Sequence, residues 1–132
     1  MPAYGIAQPG YNVYPNQGLN LTSVISGESF TLFDGTETAA QGLKSVAFTR
    51  GPAPGIVADN GITFYVSGGP AGAVVEIEGA NINADGDYVV LNSITLDANG
   101  NGAYTDIGRA SFFRAVLSTY TSGPMPIVTA QR

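Results

Sequence analysis

Apolar and polar residues alternate with a period of two along several short segments of this chain, and no window of about a dozen residues carries a helical face. In residues 73–78, Val75 and Ile77 fall on one side of an extended chain, while Glu76 and Glu78 fall on the other. The same pattern predicts further strands at residues 22–33, 45–49, 62–67, 88–96, 102–105, 112–119 and 125–130.

Turn-forming residues separate these segments at intervals of about 8–12 residues, which is typical of an antiparallel β-sandwich or jelly roll. We therefore predict an all-β fold with one helical turn at most, at residues 39–43. Gly-Gly-Pro-Ala-Gly at residues 68–72 is predicted to form a hairpin-like turn. The strand at residues 88–96 is predicted to bulge near Asn92 and Ser93, where the alternation is interrupted.

The first 20 residues differ from the rest of the chain. They contain Pro2, Pro9 and Pro15, together with several glycines, and show neither helical nor strand periodicity. They also contain three tyrosines, which give large contact area at low entropic cost; these are Tyr4, Tyr11 and Tyr14. We predict an extended N-terminal arm at residues 1–20 that orders on a neighbouring chain, followed by a β-sandwich domain at residues 21–132. A solvated tail is the alternative.

Composition restricts the function classes. The chain has no histidine, no cysteine and a net charge of −5, so the usual catalytic side chains and thiolate metal sites are missing. It has no basic patch for nucleic acid and no run of about 20 apolar residues for a membrane span. The N-terminus lacks the basic and apolar regions of a secretory signal, so we expect synthesis in the cytoplasm.

Two acidic features invite a chemical interpretation. Residues 81–87 resemble the start of a calcium loop, but the twelfth position is Asn92 instead of glutamate, so a loop between two strands is the simpler prediction. Residues 97–102 are also predicted to form a turn, because their Asn-Gly sequences suit the positive φ angles of tight turns. A calcium ion that bridges both loops is the alternative. Glu76 and Glu78 could serve as a glycosidase pair, although such pairs more often form a solvated face. We expect no metal, no cofactor and no catalytic residue.

Arg109 and Arg114 bracket the pair Phe112 and Phe113. In a chain with so few cations, they are expected to pair with carboxylates of the same chain, with Asp106 or Asp87 as partners. A contact between subunits is the alternative, so Arg109 and Arg114 join Tyr4, Tyr11 and Tyr14 as candidate residues of a protein interface.

Four segments resemble small β-sandwich structural proteins of tailed bacteriophages, including capsid decoration (cement) proteins. They are Val-Val-Glu-Ile-Glu-Gly-Ala at residues 74–80, Asp-Tyr-Val-Val-Leu at 87–91, Gly-Ala-Tyr-Thr-Asp at 102–106 and Phe-Phe-Arg-Ala-Val-Leu at 112–117. The resemblance spans about residues 62–120 and implies a non-enzymatic virion protein without a cofactor. It further implies binding to the major capsid protein on the outer capsid surface, self-association into a homo-oligomer, and synthesis in the host cytoplasm.

Two other function classes remain open. A carbohydrate-binding or host-adhesion module would use exposed Tyr65, Tyr88 or Tyr104 to stack on sugar rings, although the chain has no tryptophan for this purpose. A glycosidase-like enzyme would need the Glu76 and Glu78 pair to face a cleft.

Overall fold

The computed structural model describes residues 29–49, 61–107 and 110–132. Its elements are β1 (Ser29–Asp34), β2 (Leu43–Lys44), β3 (Phe48–Thr49), β4 (Ile62–Ser67), β5 (Val74–Ala80), a 3₁₀ turn at Asp85–Asp87, β6 (Val89–Thr95), β7 (Gly102–Asp106), β8 (Phe112–Thr119) and β9 (Ile127–Gln131). No α-helix occurs in these ranges, so the predicted all-β class is confirmed. Within them, no helix is long and apolar enough to cross a membrane.

The strands form two antiparallel sheets that pack against each other. The first sheet has the order β1-β9-β4-β7, and the second has the order β2-β8-β5-β6, with β3 also paired to β8. Three phenylalanine rings meet between the sheets: Phe64 lies 5.5 Å from Phe113 and 6.1 Å from Phe48, and Phe48 lies 5.5 Å from Phe113, measured between ring centroids. The predicted antiparallel sandwich is therefore present, with its core between the sheets.

The strand pairs are nested along the chain. β5 pairs with β6, β4 with β7, β2 and β3 with β8, and β1 with β9. We count β2 and β3 as one interrupted strand. The described chain then follows the path of one long hairpin. Its successive strand pairs lie alternately in the first and the second sheet. Strands that are adjacent in sequence therefore lie in different sheets, except at β5 and β6.

This path corrects the hairpin predicted at residues 68–72, because β4 and β5 belong to different sheets. The segment crosses between the sheets beside the turn at residues 96–101. Gly69 donates its N–H to the carbonyl oxygen of Gly100 at 3.2 Å, and Gly72 donates to that of Leu96 at 3.0 Å. The turn predicted at residues 97–102 is confirmed; in it, Asp97 Oδ1 accepts the N–H of Asn99 at 2.8 Å.

The predicted bounds of β4 and β8 are confirmed at both ends. Residues 45–49 form a strand only at Phe48–Thr49, because the Ser45 hydroxyl oxygen accepts the Ala115 N–H at 2.9 Å and interrupts the regular pairing. The bulge predicted near Asn92 and Ser93 is confirmed and lies at the adjacent Leu91: Ile77 stands opposite Asn92, and the next residue of β5 stands opposite Val90. The N-terminal part of the first predicted strand, residues 22–28, lies outside the described residues.

Candidate interaction surfaces

Arg114 attaches the loop at residues 81–88 to the outer face of the second sheet. It lies in β8 opposite Glu78 of β5. Its Nε donates to Glu78 Oε1 at 2.7 Å, and its Nη1 donates to Asp85 Oδ1 at 2.6 Å. The Tyr88 ring covers the guanidinium, whose central carbon lies 4.0 Å from the ring centroid. We call Glu78, Asp85, Tyr88 and Arg114 the arginine clamp.

The electrostatics of the clamp favour its charged state. Burial of the Arg114 side chain, which is 11% exposed, opposes its charge, but the hydrogen bonds to Asp85 and Glu78 outweigh this and raise the pKa of Arg114. The hydrogen bond from Arg114, helped by the positive charge of Lys44, lowers the pKa of Asp85. Burial raises the pKa of the Tyr88 hydroxyl. The clamp therefore holds the loop through the ion pair between Arg114 and Asp85, and both pKa shifts favour its charged form.

The loop at residues 81–87 uses its oxygens to hold its own conformation. Asn83 Oδ1 accepts the Tyr88 hydroxyl at 2.6 Å, and Asp85 Oδ1 accepts from Arg114. Within residues 29–49, 61–107 and 110–132, no group of three acidic side chains lies close enough to hold a metal ion. This arrangement favours the interpretation as a connecting loop over that of a calcium loop.

Asp85→Asn is expected to remove part of the acid dependence of stability. Because the pKa of Asp85 is lowered below 3.8 in the folded protein, its contribution is complete above the unfolded-state pKa and is lost as the pH falls through the folded-state pKa. In thermal melts, the Tm difference between wild type and Asp85→Asn should be constant above about pH 5 and shrink as the pH falls below about 4. A Tm difference that stays the same at every pH would contradict the ion pair.

The second sheet ends in an exposed apolar patch. β6 lies at the edge of this sheet and pairs only with β5 among the described strands. Val89 is 62% exposed and Val90 is 49% exposed, and Ile82, in the loop fixed by the clamp, is 65% exposed. β6 contains no charged residue and no proline, which commonly protect edge strands from pairing, although its bulge gives partial protection. Val90 stands opposite Glu78 and Val89 opposite Gly79, so these two side chains flank the strand edge from opposite faces of the sheet. We call Ile82, Val89 and Val90 the apolar edge patch.

A shallow depression of about 330 Å³ adjoins this patch. Gly79 forms its floor, because a Cβ there would lie 2.8 Å from Leu91 Cδ1 and 2.9 Å from Ala110 Cβ. The depression is lined by Gly79, Ala80, Asn81, Asp87, Val89, Leu91 and Ala110. Apolar side chains together with Asn81 and Asp87 therefore surround a concave surface beside β6, which is an edge strand among the described residues.

Within the described residues, the outer face of the first sheet is exposed and nearly free of charge. In β4, Ile62, Phe64 and Val66 are buried, so the alternate residues Thr63 and Tyr65 point outward. The strand register aligns two rows across the sheet: Ser29, Gln131, Thr63 and Thr105 in the first, and Thr31, Thr129, Tyr65 and Ala103 in the second. We call these two rows the neutral face.

Tyr65 lies near the middle of the neutral face, between Thr129 and Ala103, and is 50% exposed. Thr63 and Thr105 share a hydrogen bond between their hydroxyl oxygens at 2.8 Å. The adjoining row contains Asp34, Ile127 and Ser67, and the Glu37 carboxylate accepts the Asp34 N–H at 3.0 Å. Arg132 follows Gln131 at the opposite border, so charged residues lie at both borders of the face.

The structure tests some of the predicted site residues and does not describe others. Arg114 pairs within its own chain, as expected, but with Glu78 and Asp85 instead of the predicted Asp106 or Asp87. Glu78 of the proposed carboxylate pair is thus bound to Arg114. The other candidate interface residues, Tyr4, Tyr11, Tyr14 and Arg109, lie outside the described residues, so their roles stay predictions.

Among the tyrosines considered for stacking on sugars, Tyr65 alone is strongly exposed. Tyr88 covers Arg114. Tyr104 stacks on Phe64 with ring centroids 6.3 Å apart, and its hydroxyl donates to Asp106 Oδ1 at 2.9 Å.

The sequence reasoning did not identify the neutral face or the apolar edge patch. The alternation within residues 62–67 and 125–130 does place Thr63, Tyr65 and Thr129 outward, so the outward residues of each strand could be predicted from the sequence. The pairing of β9 with both β1 and β4 could not be predicted, because alternation does not specify which strands are neighbours.

Comparison with protein-family models, with curated proteins and with solved structures found no match to this chain.

Proposed function

We propose that the chain is a non-enzymatic structural protein of a bacteriophage virion, a decoration protein that binds and stabilises the outer capsid surface. The observation that carries this proposal is the apolar edge patch. Exposed Val89, Val90 and Ile82 flank a strand edge without charges, and such edges and patches favour binding to another protein. The expected partner is the major capsid protein, which would cover the patch and the adjoining depression.

The arginine clamp supports this role by fixing the patch before binding. Ile82 belongs to the loop that Arg114 ties to the second sheet, and Val89 directly follows Tyr88 of the clamp. A surface that is already ordered loses little conformational entropy when a partner docks. Two ion pairs and one ring contact therefore give a small domain a rigid docking surface.

The nested strand pairing also supports the proposal. In this proposal the sandwich is a jelly roll, a fold found in viral capsid and lectin domains. The nested strand pairs of the two sheets support that assignment. This support is an analogy of fold, which by itself does not assign function. It agrees with the resemblance of residues 62–120 to phage decoration proteins.

In this proposal, the N-terminal arm at residues 1–20 supplies additional contacts. Tyr4, Tyr11 and Tyr14 would anchor it to a neighbouring chain, and its prolines would reduce the entropy lost on docking. Arg109 and Arg114 were the other candidate contacts; Arg114 contributes indirectly, by holding the loop that carries Ile82.

Cosedimentation with capsids that lack this protein tests the proposal. The purified chain should bind such capsids saturably and raise the temperature at which they release their contents. The same chain should not sediment alone. Failure to bind capsids of its own phage at any occupancy would contradict a decoration role.

The neutral face favours a second candidate function, a carbohydrate-binding or host-adhesion module. Tyr65 lies exposed on the outer face of the first sheet, where its neighbours Thr63, Thr105 and Thr129 offer hydroxyl groups to a sugar. A glycan array tests it: this function predicts binding that Tyr65→Ala abolishes, while Tyr120→Ala leaves it intact.

A further inference from the structure

We infer that Asp85–Gly86 is a modification site, at which aspartate converts spontaneously to isoaspartate, and that the arginine clamp keeps this site unreactive. The inference does not depend on the proposed capsid binding. Aspartate followed by glycine is especially prone to this reaction, because glycine has no side chain to shield its amide nitrogen or to restrict its backbone. The described residues contain two such sequences, Asp34–Gly35 and Asp85–Gly86.

The reaction needs only the chain itself and water. The Gly86 amide nitrogen attacks the side-chain carboxyl carbon of Asp85, a C–N bond forms, the nitrogen loses its proton, and water leaves. Water then opens the resulting succinimide ring. When the ring opens at the backbone carbonyl, the chain continues through the former side chain, and residue 85 becomes isoaspartate. No bond is oxidised or reduced, and no second substrate takes part.

Both reacting groups are accessible. Gly86 has a φ outside the left-handed region, and no other atom lies within 4 Å of the position that its Cβ would take. The turn therefore does not require glycine at this position, yet glycine leaves the nitrogen unshielded. The Asp85 side chain is 75% exposed, so burial does not protect its carboxyl group.

The backbone of the loop opposes the first step. Asp85 lies in the 3₁₀ turn Asp85–Asp87, where the Asp87 N–H donates to the Ala84 carbonyl oxygen at 2.9 Å. The succinimide ring requires a ψ angle at Asp85 outside the helical region, so the peptide plane must rotate out of this turn before the nitrogen can attack. Ring formation therefore needs local opening of the loop.

Arg114 opposes the same step from the side chain. Its Nη1 donates to Asp85 Oδ1 at 2.6 Å, which restrains the carboxyl group and the loop that carries it. The same hydrogen bond lowers the pKa of Asp85 and so favours the carboxylate. The carboxylate reacts more slowly than the protonated acid, because an oxide ion is a poorer leaving group than water.

The contact is effective because Arg114 is already fixed. Its Nε is bound to Glu78 Oε1 at 2.7 Å, the Tyr88 ring covers its guanidinium, and its side chain is 11% exposed. An exposed ion pair is usually weak because two long side chains must be ordered together. Here only Asp85 has to be ordered, so one hydrogen bond can restrain a loop that is open to solvent.

Conversion at residue 85 would release the loop permanently. Isoaspartate lengthens the backbone by one carbon and attaches the carboxylate directly to Cα. The geometry that brings Oδ1 to Arg114 is then lost, so the clamp cannot re-form. The modification is thus a one-way change that the intact clamp delays.

Asp34–Gly35 is an internal control, because its protection does not involve Arg114. The Gly35 N–H donates to Glu37 Oε1 at 3.1 Å, which occupies the nitrogen that would attack. Asp34 Oδ1 accepts the N–H and the hydroxyl of Thr36 at 2.9 and 2.6 Å. Isoaspartate at Asp34 therefore reports opening of the fold outside the clamp in the same sample.

The test measures isoaspartate at both sites by peptide mapping and mass spectrometry after prolonged incubation of the full-length chain at neutral pH. A synthetic peptide of residues 81–88 gives the unprotected rate. Wild type should react at Asp85 at least tenfold more slowly than the peptide. Arg114→Ala should raise the rate at Asp85 at least fivefold and leave Asp34 unchanged. Adding Gly86→Ala to Arg114→Ala should return the rate at Asp85 to the wild-type level.

Thermal melts verify that the variants fold. If Arg114→Ala does not fold, Arg114→Lys replaces it, since lysine keeps a cation beside Glu78 but lacks the second donor group that reaches Asp85. Wild type that reacts as fast as the peptide would overturn the inference, as would an unchanged rate at Asp85 in the Arg114 variant. An equal rise at Asp34 and Asp85 would also overturn it, because opening of the whole fold would then control the reaction.

Discussion

Gly100→Ala is expected to lower the free energy of unfolding by about 3–5 kcal/mol. Gly100 has φ +77°, and a Cβ at this position would overlap the carbonyl oxygen of Gly69, where the two crossing segments between the sheets touch. The substitution therefore adds steric overlap to backbone strain and also breaks the hydrogen bond from Gly69 N–H to the Gly100 oxygen. Denaturant unfolding measures the change.

Gly68→Ala is the matched control for this substitution. Gly68 has nearly the same backbone strain, with φ +72°, but no other atom lies within 4 Å of the position its Cβ would take. Its cost should be about 1–2 kcal/mol, that of the left-handed conformation alone. Equal losses in the two variants would show that the crossing of residues 68–73 and 96–101 is not tightly packed.

Arg114→Ala is expected to cost about 2–4 kcal/mol, because it leaves the Glu78 carboxylate, whose side chain is 13% exposed, without its partner. It also frees the loop at residues 81–88, so amide hydrogens there should exchange faster with solvent than in wild type. Thermal melts and hydrogen exchange measure the two effects. The double variant Arg114→Leu with Glu78→Leu should recover much of the stability but not the protection of the loop, since Asp85 still lacks its partner.

If Arg114→Ala retained wild-type stability and loop protection, the clamp would not hold the apolar edge patch in place. The double variant distinguishes the two contributions. Recovery of stability without loop protection assigns the cost to the unpaired Glu78 and the loop order to Asp85.

The fold class could be predicted because alternation is local. β4 alternates without interruption, and the predicted bounds of β4 and β8 agree with the structure. The turn residues at 68–72 correctly end a strand, but they do not specify the sheet in which the next strand lies. The nested pairing connects strands as distant as β1 and β9, and such contacts depend on packing of the whole core.

Because the sequence does not specify which strands pair, it also could not predict the partners of Arg114. Asp106 and Asp87 are closer in sequence, but Glu78 lies 36 residues away and reaches Arg114 because β5 and β8 pair with these residues opposite each other. Asp85 reaches the guanidinium because the loop after β5 folds back over the sheet. The sequence predicted an ion pair from the scarcity of cations, whereas the choice of partner required the register.

The most direct test of the proposed function is cosedimentation of two lysine variants with capsids that lack the protein. Val89→Lys places a charge in the apolar edge patch, and Val46→Lys places the same charge at the opposite edge of the same sheet, at a valine of similar exposure, 65% against 62%. Both variants have the same net charge, so general attraction to the capsid is matched. We predict that Val46→Lys binds like wild type and that Val89→Lys binds at least tenfold more weakly. Equal binding of the two variants would contradict the assignment of the patch to the capsid.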